Sequence, residues 1–203
     1  MTDEAKPVAN PAGSSRFFQR VDWASFGVTT LLALTVYLLT LSPEVDLDYS
    51  GFYSTAAMYP GVSIPPGHPL WAIYGWLFIK LVPISNIAWR LAVASAVAGA
   101  LACGVIALMV SRVGVSAAQC ILRFKNLLPN EVKSLRVVCG CVAGLGFGFD
   151  GCFWCKTVVA DTWPLSLLLF ALTICLMTRW FLTRWFLRRN AGAFFTRGRS
   201  FSV

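Results

Sequence analysis

LAVASAVAGALACGVIALMV, residues 91–110, runs for twenty positions without a charged side chain. At a rise of about 1.5 Å per residue a helix of that length reaches roughly 30 Å, the hydrocarbon thickness of a bilayer. The rest of the chain decides whether lipid or a protein core surrounds it. The composition is 57% hydrophobic and 13% charged, with a mean hydropathy of +0.68, whereas a soluble domain clothes its surface with about a quarter charged residues. Residues 28–43 are a second charge-free stretch, so lipid is the expected solvent.

Outward from this run, Arg90 marks its upstream edge. Residues 69–83 are apolar, but only fifteen long, and carry Lys80. They suit a helix lying at the membrane interface, with Trp71, Tyr74 and Trp76 in the headgroup layer. Residues 42–68 hold Pro43, Pro60, Pro65, Pro66, Gly51, Gly61, Gly67 and the acids Glu44, Asp46 and Asp48, and read as a structured loop. A first span is expected over 23–41; no small-residue cleavage site closely follows it, so it reads as a retained anchor. Residues 1–20 are too poor in apolar surface to fold and are expected to form a disordered tail. Downstream, a basic loop over 111–136 leads to a third span over 137–154, a polar turn over 155–164 and a fourth span over 165–186. Arg179 and Arg184 would snorkel to the headgroups, and 188–203 form a basic tail. The expected fold is an all-α membrane protein of about four transmembrane helices and one interfacial helix.

Charge orients these pieces, because short loops rich in Lys and Arg stay in the cytoplasm. Lys6, Arg16 and Arg20 precede the first span; Arg112, Arg123, Lys125, Lys133 and Arg136 lie in the 111–136 loop; Arg188, Arg189, Arg197 and Arg199 close the chain. These segments are assigned inside, with both termini cytoplasmic. The acidic 42–68 loop and the turn holding Lys156 and Asp161 are assigned outside, which works only if 69–83 does not cross. Basic residues clustered at the ends of apolar runs account for the net charge of +8 and leave no basic, aromatic-interleaved surface for nucleic acid.

Asp46, Asp48, His68, Lys156 and Asp161 therefore fall on one side. From spacing alone the 46/48 pair fits a general base, a cation site or plain solvated charge, with solvated charge favoured. The Pro-Pro-Gly-His-Pro run is rigid, with Gly67 free to adopt positive φ, and presents His68 at a defined place; a lone histidine is more often structural. Asp161, close to hydrocarbon, is a functional candidate with Lys156 as its nearest partner, and Asp150 is either functional or a helix-end residue. Gly140, Gly144 and Gly148 share a helix face and favour close helix packing over nucleotide binding. Seven cysteines define no disulfide framework, and Cys152-x-x-Cys155, without a second pair at zinc spacing, is read as packing.

The acidic loop leading into Ser50-Gly51, the run Pro65-Pro66-Gly67-His68-Pro69-Leu70 and Val159-Ala160-Asp161-Thr162-Trp163 together resemble the domain of unknown function 2723 family. That family is similar to the membrane O-mannosyltransferases of the glycosyltransferase C superfamily, and the resemblance covers about residues 39–179. It implies the N-terminal part of a glycosyltransferase C fold, a polyprenyl-phosphate sugar donor and a hydroxyl acceptor. It also implies a catalytic role for Asp48, as base or acceptor-binding group, and for Asp161, at the acidic position of the later motif; Asp46, His68 and Lys156, placed on the same side by the charge pattern, are the substrate-binding candidates. Phe52 stands where family members often place an acid after Ser-Gly, and family chains are longer, so a truncated relative is expected. The leading expectation is transfer of a sugar, by resemblance mannose. The second is a non-catalytic component that packs against a membrane-protein partner; a transporter ranks third, for want of a buried acid pair or broken-helix pair.

Overall fold

The computed structural model describes residues 18–44, 49–59, 67–121 and 129–198, with side chains over 18–44, 49–59, 67–114 and 130–184. Helices α1 (Arg20–Leu39), α2 (Ser50–Met58), α3 (Pro69–Leu81), α4 (Ile87–Ile121), α5 (Pro129–Gly148), α6 (Gly151–Thr157) and α7 (Trp163–Gly198) account for the architecture, and no strand occurs among the described residues. Among the described residues, three stretches are long and apolar enough to cross a bilayer: Arg20–Leu39, Ile87–Gly114 and Trp163–Arg184. A fourth is formed only if α5 and α6, bent by 71°, count as one broken span.

The run that opened the reading is the centre of the molecule, since every other helix packs on α4. Ala92, Ala94, Ala96, Ala98, Ala100, Ala102 and Ala107 are all buried. Small side chains permit this, because they let backbones approach on several sides at once. The outer helices show the complementary pattern. Leu31, Leu38 and Leu39 of α1 and Phe170, Leu176, Met177 and Phe181 of α7 are exposed, an apolar outer surface suited to lipid. With the composition, it makes this an integral membrane protein.

Glycines on α5 set its distance from the core. A β-carbon added at Gly144 would lie 2.7 Å from the Cys103 carbonyl oxygen, 2.7 Å from Thr29 Cγ2 and 3.0 Å from Ala107 Cβ. Gly148 meets Cys103 Sγ at 2.7 Å, and Gly140 faces Ser25, Ala107 and Ser111, so the shared face expected of these glycines is the α1–α4 contact. Gly144→Val is expected to lower stability by about 1–3 kcal/mol through overpacking, because a backbone carbonyl cannot step aside. Gly146→Ala, whose added carbon meets nothing within 4 Å, should instead stabilise by about 0.5–1 kcal/mol. Thermal unfolding in detergent checks both.

The helices depart from the sequence expectation in several places. The loop over 42–68 contains α2, which forms in the stretch between the two proline groups. The third span is not continuous to Trp154: α5 stops at Gly148, whose carbonyl accepts a 2.7 Å hydrogen bond from the Tyr37 hydroxyl. Asp150 then caps α6 by accepting from the Phe153 N–H at 3.3 Å. The polar turn expected from residue 155 begins after Thr157. Charged residues also end the apolar runs without ending the helices, since Arg and Lys are good helix formers: α4 continues to Ile121 and α7 to Gly198. The basic tail over 188–203 is thus helical as far as Gly198. The short helix expected over 69–83 is α3, opened by Pro69 at its first turn and closed before Pro83.

The helices place two polar clusters at opposite ends of the bundle. At one end the Ser42 N–H donates to the Val158 carbonyl at 3.1 Å, Asn86 Nδ2 donates to the Pro43 carbonyl at 3.0 Å, and buried Ser95 meets Asp161. At the other end Gln19, Asp22, Ser111 and Arg136 converge. The start of α4 belongs to the first cluster and Ser111 to the second, so α4 connects them.

Candidate functional site

The end that joins α1, α2, α3, the start of α4, α6 and the start of α7 carries the motif residues. Asp161 is held there from several directions. Its backbone N–H donates to Ser95 Oγ at 3.1 Å, and Ser95 Oγ reaches the Asp161 carbonyl at 3.2 Å. Its carboxylate Oδ1 accepts from the Trp163 N–H at 3.2 Å, an Asx turn leading into α7, and from Thr162 Oγ1 at 3.4 Å. Oδ2 lies 3.3 Å from Lys156 Nζ. The expected Lys156–Asp161 pairing is therefore in place, with the acid buried and the ammonium, in the last turn of α6, reaching water.

His68 sits at the start of α3, just after Gly67, which adopts φ 82° as the proline-glycine run suggested. Its ring is edge-on to Tyr53 at 5.6 Å between centroids, and Tyr53 is also edge-on to Trp71 at 6.4 Å. Buried His68 Nδ1 and Trp71 Nε1 have no hydrogen-bond partner among the described residues. Two such ring nitrogens in one aromatic cluster are unusual in a finished core, where buried polar atoms are paired. Trp71 links the aromatic cluster at His68 to α4 and the start of α7 by packing with Ala98 and Leu165. Tyr74 donates to the Ala94 carbonyl at 3.0 Å, and burial pushes its phenol up to about 12.

Asp46 and Asp48 lie outside the described residues. The segments on either side of them belong to the Asp161 end of the bundle: Ser42 bonds to Val158, and Ala57 of α2 shares a cluster with Leu91 and Ala160. Beside Lys156, a cleft of about 770 Å³ opens between the end of α5, α6 and the start of α7. Phe147, Phe153, Trp163 and Leu167 wall it, with Asp150, Cys152, Cys155 and Lys156 at its lining. Cys152 and Cys155 are exposed, so core packing does not account for them.

Two arrangements escaped the sequence reading. Arg90 is not merely an edge charge: its guanidinium donates to the carbonyls of Ile79, Ile84 and Ser85 at 3.2, 3.1 and 3.0 Å, closing the turn between α3 and α4, where Ser85 adopts φ 66°. Arg136, counted among the solvated charges of a loop, is buried against a fully buried Asp22 at 2.7 Å. The available signal was an acid in the first turn of an apolar helix, which calls for a partner.

Residues 49–194 match the family described as the protein O-mannosyl-transferase TMEM260 N-terminal domain. The protein O-mannosyl-transferase TMEM260 of Mus musculus is 29% identical over 144 residues, covering 71% of this chain and 18% of its own length. The chain thus spans less than a fifth of that relative. No solved structure matches. The matched segment includes Ser50-Gly51, the proline-histidine run and Asp161; it begins at Tyr49, directly after Asp48.

Proposed function

We propose, since the chain belongs to the protein O-mannosyl-transferase TMEM260 N-terminal domain family, that it takes part in transferring mannose from a polyprenyl-phosphate donor to a protein hydroxyl at the extracytoplasmic face. The observation that carries this reading is the family match across 49–194, whose motif segments converge on one end of the bundle. In the proposed reaction Asp48 accepts the proton of the acceptor hydroxyl. The freed oxygen attacks the anomeric carbon, the bond from that carbon to the phosphate oxygen breaks, and polyprenyl phosphate leaves. Lys156, half exposed at the cleft, would face the departing phosphate, with Asp161 fixing its position. His68 and Asp46 would bind sugar or acceptor hydroxyls; the unpaired His68 Nδ1 supports the first of these. A donor whose tail stays in lipid accounts for a site at the end of a bundle with an apolar outer surface.

The membrane orientation belongs to the same proposal: four crossings, the α5–α6 pair counted as one, and both termini cytoplasmic. Arg136 Nη1 bonds to Gln19 Oε1 at 2.7 Å, which joins the start of α1, with Arg20, to the start of α5, with Lys133 and Arg136, at the end opposite Asp161. That distribution is the one the positive-inside rule requires. The test is transfer of radiolabel from polyprenyl-phosphate mannose to a Ser/Thr-containing peptide by membranes carrying the chain. Labelled peptide is expected only with acceptor present on the extracytoplasmic side. Absence of both transfer and polyprenyl-phosphate binding by folded protein overturns the reading.

A further inference from the structure

Cys152 and Cys155 are the motif that the proposed reaction leaves unused. They stand three residues apart on α6, both exposed and both free, and both line the cleft between α5, α6 and α7. The other cysteines with described side chains differ: Cys103 and Cys175 are buried, and Cys139 and Cys141 are half-buried on α5. Among the cysteines with described side chains this pair is therefore the most accessible. We propose that Cys152 and Cys155 form a reversible dithiol–disulfide site whose closure repositions Lys156.

Geometry supports both halves of the proposal. On a regular helix, side chains three apart have β-carbons about 5–6 Å from one another, whereas a disulfide requires about 3.5–4.5 Å. Closure must tighten the turn by roughly 1–2 Å. A long packed helix would resist that change. Helix α6 has only seven residues, follows a 71° break and starts at Gly151, beside which an added β-carbon meets nothing within 4 Å. Cys155 directly precedes Lys156, whose ammonium lies 3.3 Å from Asp161. A turn tightened at Cys155 therefore moves the base of the lysine relative to an acid that Ser95 and the start of α7 hold in place.

The exchange balances with a low-molecular-weight disulfide such as oxidised glutathione. One protein thiolate attacks it, forming a mixed disulfide and releasing one small thiol. The second protein thiolate attacks the protein sulfur of that adduct, forming the Cys152–Cys155 bond and releasing the other. Two protein thiols lose two protons and two electrons, and the small disulfide is reduced to two thiols. The extracytoplasmic placement proposed above would put the pair in an oxidising compartment, but the pairing itself does not depend on the transferase reading.

The test treats the chain in native membranes with oxidised glutathione, blocks free thiols with N-ethylmaleimide, and maps the peptide spanning both cysteines by mass spectrometry. The expected result is joint protection of Cys152 and Cys155 with loss of two hydrogens, reversed by dithiothreitol; Cys152→Ser should instead leave Cys155 as a stable glutathione adduct. Full alkylation of both thiols in the oxidised parent, or separate adducts on each, overturns the pairing without recourse to any variant. Lys156 acylation by a water-soluble ester is expected to change severalfold on oxidation in the parent and not in the double serine variant. Unchanged lysine reactivity in the oxidised parent overturns the coupling.

Discussion

Arg136→Met is expected to destabilise the protein by about 3–5 kcal/mol, the cost of stranding a buried charge. The Asp22 carboxylate is fully buried in α1. It accepts from Arg136 Nη2 at 2.7 and 3.0 Å, from Ser111 Oγ at 3.0 Å and from the Gln19 N–H at 2.9 Å. Arg136 is also bound, with Nε donating to the Ser111 carbonyl at 3.1 Å and Nη1 to Gln19 at 2.7 Å. Three helices, α1, α4 and α5, are thus fixed in register at one end by a network in which nearly every polar atom is used. Removing the guanidinium leaves the carboxylate with two neutral donors and the charge of nearby Arg112 in a water-poor site. Asp22→Leu should cost a similar amount for the opposite reason. The double variant Asp22→Leu with Arg136→Met should recover most of the loss, because a buried pair is often replaced by apolar side chains at little net cost. Thermal unfolding of the four proteins in one detergent measures the coupling. Near-additive losses would show that the pair does not act as a unit.

This network also shows where sequence reading stopped. Charge-free runs such as 91–110 announce themselves, because the hydrophobic signal is local and continuous. Asp22 and Arg136 lie 114 positions apart, each at the edge of an apolar run. At such an edge a paired buried charge and a solvated one give the same local pattern, and only the packing of α1 on α5 separates them. The break at Phe149–Asp150 was hidden for a related reason: average hydropathy continues across it, and only a cap and a carbonyl bonded to a tyrosine from α1 mark it. Helix α2 was masked by the prolines and glycines on either side of it. The Lys156–Asp161 pair was legible because both partners sit in one short segment. Gly67 was legible because a glycine between proline and histidine has a backbone reason to be there. Asp46 and Asp48 lie outside the described residues, so their part in the site rests on the segments that flank them and on the proposed chemistry.

Asp161→Asn should separate the structural work of this residue from the chemical. Asparagine forms the same Asx turn as aspartate, so the bond to the Trp163 N–H and the start of α7 should persist. The lost ion pair with a half-exposed lysine is worth at most about 1 kcal/mol in stability. Asp161→Ala loses the turn's hydrogen bond as well, costing about 1 kcal/mol more. Transfer should respond differently. If the carboxylate fixes Lys156 against the leaving phosphate, Asn and Ala should both reduce transfer severely, by at least about 10²-fold, at the lower end of the range for a positioned acid or base. Asp48→Asn should reduce it by about 10²- to 10⁴-fold as the general base is removed. The two losses are distinguishable, because small carboxylates such as formate can replace a missing base in Asp48→Gly but cannot re-anchor a lysine in Asp161→Asn. Near-parental transfer by folded Asp161→Asn would reduce Asp161 to a structural turn residue. Near-parental transfer by Asp48→Asn would remove the proposed base, whatever the outcome at Asp161.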